Sequence, residues 1–398
     1  MTAETRAEVQ RQWRDPKRYF WLLGLAVPTL PFQAGGLVAV TGVGAFWWWG
    51  AFFAFVVVPV LDRVIGEDGE NPPEEAMPLL ERDRYYRWCT YLYLPLQYAS
   101  LIWACRQWAR PELVVTDRIG LAVTMGVVAG VAINTAHELG HKKEHMERRL
   151  SRIALAQTWY GHFYVEHNHG HHIRVATPQD PASSRFGESF WRFLPRTVVG
   201  SLVSAWRLET RRLRRRDRRV WSRHNDVLTA WAMSAVLFAS LTAGFGITVL
   251  PYLLLQAVLG FTLLESVNYL EHYGLLRAER SPGRYERVTP RHSWNSNSTT
   301  SNLFLYQLQR HSDHHANPLR RYQTLRHFDQ APQLPSGYAS MIVLSWFPPL
   351  WRRVMDPKLV KHYDGDLTRA NVHPPVRERL LAHRPQPAGT ADSSGAGG

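Results

Sequence analysis

Long apolar runs alternate along the chain with segments crowded by arginine, lysine and histidine. Runs of membrane-spanning length occupy 19–40, 43–61, 86–105, 119–136, 227–245 and 247–269. About 20 apolar residues, each adding ~1.5 Å of helix, cross the hydrocarbon layer of a bilayer, so the pattern predicts six transmembrane helices. Pro28 and Pro31 in the first run and Pro95 in the third are compatible with that reading, because neighbouring helices can satisfy the carbonyls a proline frees. Trp47, Trp48 and Trp49 suit the interfacial belt in which an indole is half in water. The mean hydropathy of −0.27 looks soluble only because it averages blocks of opposite character.

The polar segments orient these runs. Connections near Thr41 and Gly246 are a few residues long and hold no lysine or arginine, whereas the N-terminal stretch, 142–226 and everything after His272 are rich in both. Positive charge is retained on the cytoplasmic side, which places both termini inside. The expected architecture is an all-α integral membrane protein in three parts. A cytoplasmic N-terminal segment (1–18) precedes a unit of six spans with a cytoplasmic, histidine-rich helical cap (19–383), and a tail or linker (384–398) follows, too poor in apolar side chains to fold. Residues 1–18 lack the apolar core and small-residue cleavage site of a signal peptide.

Charge and cysteine content narrow the function classes. Lys and Arg outnumber Asp and Glu by 47 to 33, a net charge of +14. Eight of the thirteen residues from Arg207 to Arg219 are arginine, and they follow hydrophobic spans instead of a nucleic-acid module, which points to lipid headgroups or an acidic protein partner. The two cysteines, Cys89 and Cys105, fall in or at the end of an apolar run and form no Cys-x-x-Cys, so no iron–sulfur or rubredoxin-type electron site is expected within these residues. Any redox chemistry must then draw electrons from another protein.

Nine histidines in four tight clusters are the strongest chemical signal: His137 and His141; His167, His171 and His172; His272; and His311, His314 and His315. Spacings of three and four stack rings on one helix face, and a divalent ion accepts about four to six ligands, so nine converging imidazoles imply two metals in one site. Each cluster carries a carboxylate, Glu138, Glu166, Glu271 and Asp313, expected to accept the second N–H of a ligand imidazole and fix its tautomer. The other nine histidines read as surface or core residues, with His145, His162 and His169 nearest the clusters. Glu265 and Asn134 lie inside spans, where a polar group lines a cavity or bonds another helix, and Glu265 is expected near the metal site or in its cavity wall. A rival motif is present: His137-Glu-Leu-Gly-His141 matches the H-E-x-x-H of zinc proteases, in which the glutamate is the general base. That reading uses three protein ligands and leaves six of the nine histidines without a role.

Beyond spacing, four strings carry a family resemblance: His137-Glu-Leu-Gly-His-Lys142, Glu166-His-Asn-His-Gly-His-His172, Asn268-Tyr-Leu-Glu-His-Tyr-Gly-Leu275 and Leu308-Gln-Arg-His-Ser-Asp-His-His-Ala316. Val175-Ala-Thr-Pro-Gln-Asp-Pro-Ala-Ser183, Ser293-Trp-Asn-Ser-Asn297 and Arg320-Arg-Tyr-Gln-Thr324 add to them. On these residues, from about Asp62 to Tyr338, the sequence resembles the membrane-bound alkane 1-monooxygenases, terminal alkane hydroxylases of the membrane fatty acid desaturase and hydroxylase superfamily. The resemblance implies a bacterial inner-membrane enzyme with a non-haem di-iron centre of two iron ions held by histidines, using O2 to hydroxylate the terminal methyl of medium- or long-chain n-alkanes. It also implies rubredoxin as electron donor, reduced in turn by an NAD(P)H-dependent reductase, and the 384–398 segment could open a linker to a fused rubredoxin.

Imidazole itself suits iron, zinc, copper and nickel alike, so iron rests on the resemblance. Alkanes partition into bilayers and could enter a cavity among the helices laterally, with Phe52 and Phe55 among the residues expected to wall the channel. The rivals are a fatty acyl desaturase or aromatic side-chain hydroxylase using the same metals, the zinc protease, and a metal transporter, which would string its ligands along a pore.

Overall fold

The computed structural model describes residues 13–382; residues 1–12 and 383–398, with the expected tail, lie outside the described residues. From the N-terminus, α1 (Arg18–Thr41) and α2 (Gly44–Ile65) form the first pair of spanning helices. They are joined through Gly42, whose φ of +70° suits a residue without a side chain. The third apolar run departs from expectation: a turn at Leu92 divides it into α3 (Arg84–Tyr91) and α4 (Tyr93–Trp108). Asp83 caps α3 by accepting the amide of Tyr85 at 2.9 Å, and α4 alone has 16 residues, short of a crossing. Then come α5 (Val115–Gly140), α6 (His145–Ala156), α7 (Phe190–Arg214), α8 (Asp226–Phe245) and α9 (Ile247–His272). Among the described residues five helices, α1, α2, α5, α8 and α9, are long and apolar enough to cross a membrane. The remaining helices used below are α10 (Thr299–Phe304), α11 (His311–Ala316), α12 (Tyr338–Ser345) and α13 (Pro348–His362). A small exposed antiparallel hairpin, Glu279–Ser281 with Arg284–Tyr285, is the one two-stranded sheet among the described residues in an otherwise helical fold.

The site is positioned by the close approach of α5 and α9. A β-carbon on Gly260 would stand 2.7 Å from that of Ala129, and one on Gly126 would stand 2.6 Å from that of Leu259. Small residues therefore let the backbones approach, as in other membrane helix pairs, and bring both C-terminal ends to the same place. Thr124 ties α2 to α5 by donating to the Trp47 carbonyl (2.7 Å) and accepting the Gly50 amide (2.9 Å). A buried amide chain, Gln97 Nε2 to Gln157 Oε1 (2.8 Å) and Gln157 Nε2 to Gln256 Oε1 (2.9 Å), links α4 to α9. Valine at Gly260 is expected to lower stability by about 1–3 kcal/mol through overpacking against Ala129. A detergent melt matching the wild type would refute that.

The helices that do not span complete the frame. On α7, Phe190, Phe193, Thr197, Ser201, Ala205, Glu209 and Leu213 recur every three or four residues and are buried, leaving the arginines of its last turns outside. On α13, Trp351, Met355 and Leu359 repeat every four residues and pack into the second core, with Trp351 5.1 Å, ring to ring, from Tyr269 of α9. The tryptophan triplet is not uniformly interfacial: Trp47 is buried against Trp103, whereas Trp48 is exposed.

Candidate metal centre

Four elements carry the clustered histidines. α5 presents His137 one turn before its end and His141 at its C-cap, and α9 ends on His272. α11 supplies His311, His314 and His315. The fourth element is a π-helical turn, His167–His171, between short α-helical pieces, with the His172 amide reaching back to the His167 carbonyl. An i to i+5 turn sets His172 beside His167, with ring centroids 4.7 Å apart, and leaves His171 free to face a different neighbour.

All nine histidines come together, in two adjoining groups. His137, His141, His167, His172 and His314 offer ring nitrogens within 4.8 Å of one another, and so do His171, His272, His311 and His315. His172 of the first group and His315 of the second have ring centroids 4.6 Å apart. In the first group Nε2 of His314 lies 2.8 Å from that of His137 and 3.1 Å from that of His172, which is itself 3.1 Å from that of His167. A ring nitrogen carries one proton or one lone pair, so hydrogen bonding cannot satisfy both neighbours of His314. Nitrogens bound at about 2.1 Å to one ion and near right angles stand about 3 Å apart, which is this spacing.

The second group is equally short of partners: Nε2 of His171, and both ring nitrogens of His272 and His315, are buried without a hydrogen bond. Burial pushes the pKa of His141, His167, His172, His311, His314 and His315 well below that of an ordinary imidazole. They are held neutral, the form that ligates metal. The donor set therefore fits two metal ions, five histidines facing one and four the other.

The carboxylates divide by partner. Glu138 pairs with Lys142 (3.0 Å) and accepts the Tyr322 amide (3.3 Å); Glu166 pairs with Arg174 (2.7 Å); Asp313 takes Arg320 on both oxygens (2.7 and 2.9 Å). Those hydrogen bonds go to cations and backbone, not to ring N–H groups. Glu271 differs: its Oε2 lies 3.1 Å from Nε2 of His311, though not in hydrogen-bonding alignment. Asp180, which the spacing argument did not single out, faces Nδ1 of His171 at 2.9 Å and accepts Ser183 at 2.7 Å. Burial would raise the Asp180 carboxyl, yet His171 and Ser183 hold it at about 2, so it is ionised. Of the neighbouring histidines, His145 is exposed against Arg148, His169 is exposed, and His162 is buried against the Tyr160 ring; none joins either group.

An apolar cavity opens among the helices that carry the histidines, with about 760 Å³ of space, open solvent at its mouth included. Asn134, Val267 and Leu308 line it, three to five residues ahead of His137, His272 and His311. Phe53, Ala54 and Phe55, in and around a π-helical turn of α2, form another wall. Phe55 is thus in the expected place, whereas Phe52 turns half its surface outward. Asn134 lines the cavity and also donates to the Leu305 carbonyl at 2.8 Å. Glu265 is outside that wall, held by Tyr160 (2.7 Å), Thr197 (2.8 Å) and Asn268 (3.1 Å).

Residues 118–345 match the fatty acid desaturase family. The chain is 46% identical over 376 residues to an alkane 1-monooxygenase of Acinetobacter baylyi, covering 92% of this chain and 91% of that one. It is also 46% identical over 377 residues to an alkane 1-monooxygenase of Ectopseudomonas oleovorans, covering 93% and 92%. A more distant relative, the xylene/toluene monooxygenase hydroxylase component of Pseudomonas putida, is 26% identical over 79% of this chain and 84% of that protein. With such identity along nearly its whole length, and with its histidines gathered as a two-metal donor set, the chain belongs to the alkane 1-monooxygenases of the fatty acid desaturase family.

Proposed function

We propose that this protein is a membrane di-iron monooxygenase that converts the terminal methyl of medium- or long-chain n-alkanes to the primary alcohol, with electrons from a rubredoxin re-reduced by an NAD(P)H-dependent reductase. The observation that carries the proposal is the pair of converging histidine groups on helices among which an apolar cavity opens. The five-histidine and four-histidine groups hold one iron each, and Glu138, Glu166, Glu271 and Asp313 orient the surrounding structure. Bound iron would supply the means to reduce O2 and oxidise an unactivated C–H bond: one oxygen atom enters the product alcohol and the other leaves as water, with two electrons and two protons consumed.

The chain's own residues select the substrate. No lysine, arginine or histidine lines the cavity among the described residues. Its two polar side chains are already committed, Asn134 to Leu305 and Ser301 to Asp62 at 2.6 Å. A hydrocarbon chain buries apolar surface there without stranding a polar group, whereas a fatty acid headgroup would find no partner. This favours an alkane over the acyl substrate of a desaturase. Counting α3 and α4 as one crossing gives six spans, and the positive-inside rule places both termini and the metal centre on the cytoplasmic side of a bacterial inner membrane. The arginines ending α7 then face the cytoplasm, where they would speed encounter with an acidic donor.

The test is elemental analysis with Mössbauer spectroscopy on detergent-purified protein, followed by product analysis with n-octane, a fatty acyl substrate and xylene. Two irons per chain in a spin-interacting pair and 1-octanol as the main product are expected. Desaturated acyl product or benzylic alcohol in its place would move the assignment to the related enzymes. One zinc and no iron would favour the H-E-x-x-H protease, although Glu138, its required base, is engaged by Lys142.

A further inference from the structure

Of the cluster acids Glu138, Glu166, Glu271 and Asp313, Glu271 is the one that meets no lysine or arginine among the described residues, and the histidine it faces, His311, is not aligned to hydrogen-bond it. Glu138, Glu166 and Asp313 each meet a lysine or arginine, and Asp180 meets His171. Glu271 is 1% exposed, and its side chain has two neighbours: Nε2 of His311 at 3.1 Å from Oε2, and the Tyr338 hydroxyl, which donates to Oε1 at 2.9 Å. A buried carboxylate is paired or sits near a metal ion, and the four-histidine group brings no negative charge of its own. Glu271 thus stands at the edge of the four-histidine group, held between the Tyr338 hydroxyl and the His311 ring.

Tyr338 decides where this carboxylate points. It is wholly buried at the start of α12, with its amide donating to Gln309 Oε1 at 2.9 Å, two residues before His311. A phenol has a single proton; given to Oε1, it turns Oε2 toward His311. The same helix reaches the substrate space, since Ala339 and Ile342 line the apolar cavity. We propose that Tyr338 is a positioning residue of the four-histidine group, fixing Glu271 against His311 and linking the group to the cavity wall. A hydrocarbon pressing on Ala339 and Ile342 moves the turn that carries Tyr338, and the hydrogen bond transmits the shift to Glu271.

This inference rests on the two-metal reading above, and the experiment separates the two. Iron-loaded wild type, Tyr338→Phe and Glu271→Gln are compared in detergent by iron content, Mössbauer spectrum, chelator competition and response to added n-dodecane. Tyr338→Phe is expected to keep the melting profile and the five-histidine ion, to hold the other ion about tenfold more weakly, and to lose the spectral shift that dodecane causes in the wild type. Glu271→Gln, which keeps the shape and removes the charge, should weaken that ion further, and it decides the matter if Tyr338→Phe does not fold. A wild-type spectrum and dodecane response in folded Tyr338→Phe, or in Glu271→Gln, would overturn the proposal. Wild type without two irons would instead overturn the metal-centre reading.

Discussion

Alanine at His314 is expected to strip the five-histidine group of its ion and to cut alkane hydroxylation by at least about a hundredfold, the upper end of what loss of a mere supporting partner costs. His314 is central to that group: its Nε2 faces His137 at 2.8 Å and His172 at 3.1 Å, and its ring stands 4.6 Å from His141. Removing it leaves four nitrogens around an enlarged hole, and the carboxylates of its own and the α5 cluster, Asp313 and Glu138, are held by Arg320 and Lys142. His145→Ala is the matched control, since His145 is exposed and contacts only the Arg148 guanidinium among its recorded partners. Iron per chain and 1-octanol formation are measured on both proteins. Two irons and undiminished turnover in His314→Ala would remove the group from the chemistry.

Much of this site was legible before the fold was known, and the reasons differ by residue. His137 and His141 are neighbours because an α-helix repeats every 3.6 residues, so their pairing follows from spacing alone. The same rule pairs His167 with His171, yet the chain closes a π turn there and sorts His172 with His167, leaving His171 to the other group. The five-to-four division thus lay in one backbone hydrogen bond that periodicity does not reveal. The carboxylates were located as cluster members, but their partners come from afar: Arg320 is seven residues from Asp313, and Tyr338 is 67 from Glu271. Asp180 gave no signal because a loop, not a helix, brings it to His171. Four of the six apolar runs were recognisable from composition near their observed bounds, as were most of the residues of the remaining fifth, α5. The third run failed as a continuous helix at Leu92, because Pro95, read from the sequence as tolerable, has no amide for the Tyr91 carbonyl four residues back, and the chain turns there. The cavity was the least legible part, since α10 and α12, too short to span, supply part of its wall.

Arginine 310 shows how a residue outside the chemistry can control it, and Arg310→Met is expected to be among the most destabilising single changes in the cap. The side chain is 1% exposed and uses two guanidinium nitrogens to gather two separate segments. Nη2 donates to the carbonyls of Asp68 and Glu70 at 2.9 and 3.0 Å, while Nη1 donates to the Leu325 carbonyl at 2.9 Å and to Asn71 Oδ1 at 3.3 Å. Burial lowers its pKa to about 10, leaving it charged at neutral pH. Methionine fills similar space but strands these acceptors, each costing about 1–3 kcal/mol when buried without a donor, so a loss of about 3–5 kcal/mol follows. Lysine should recover only part of it, because one ammonium on a flexible stem cannot span two segments as the planar fork does. His311 is the next residue, so the loosened backbone should release iron from the four-histidine group before the spans unfold. Thermal melts in detergent, read with iron content at each temperature, would show that order. Coincident loss of iron and helix at the wild-type midpoint would mean that Arg310 does not seat the ligand helix.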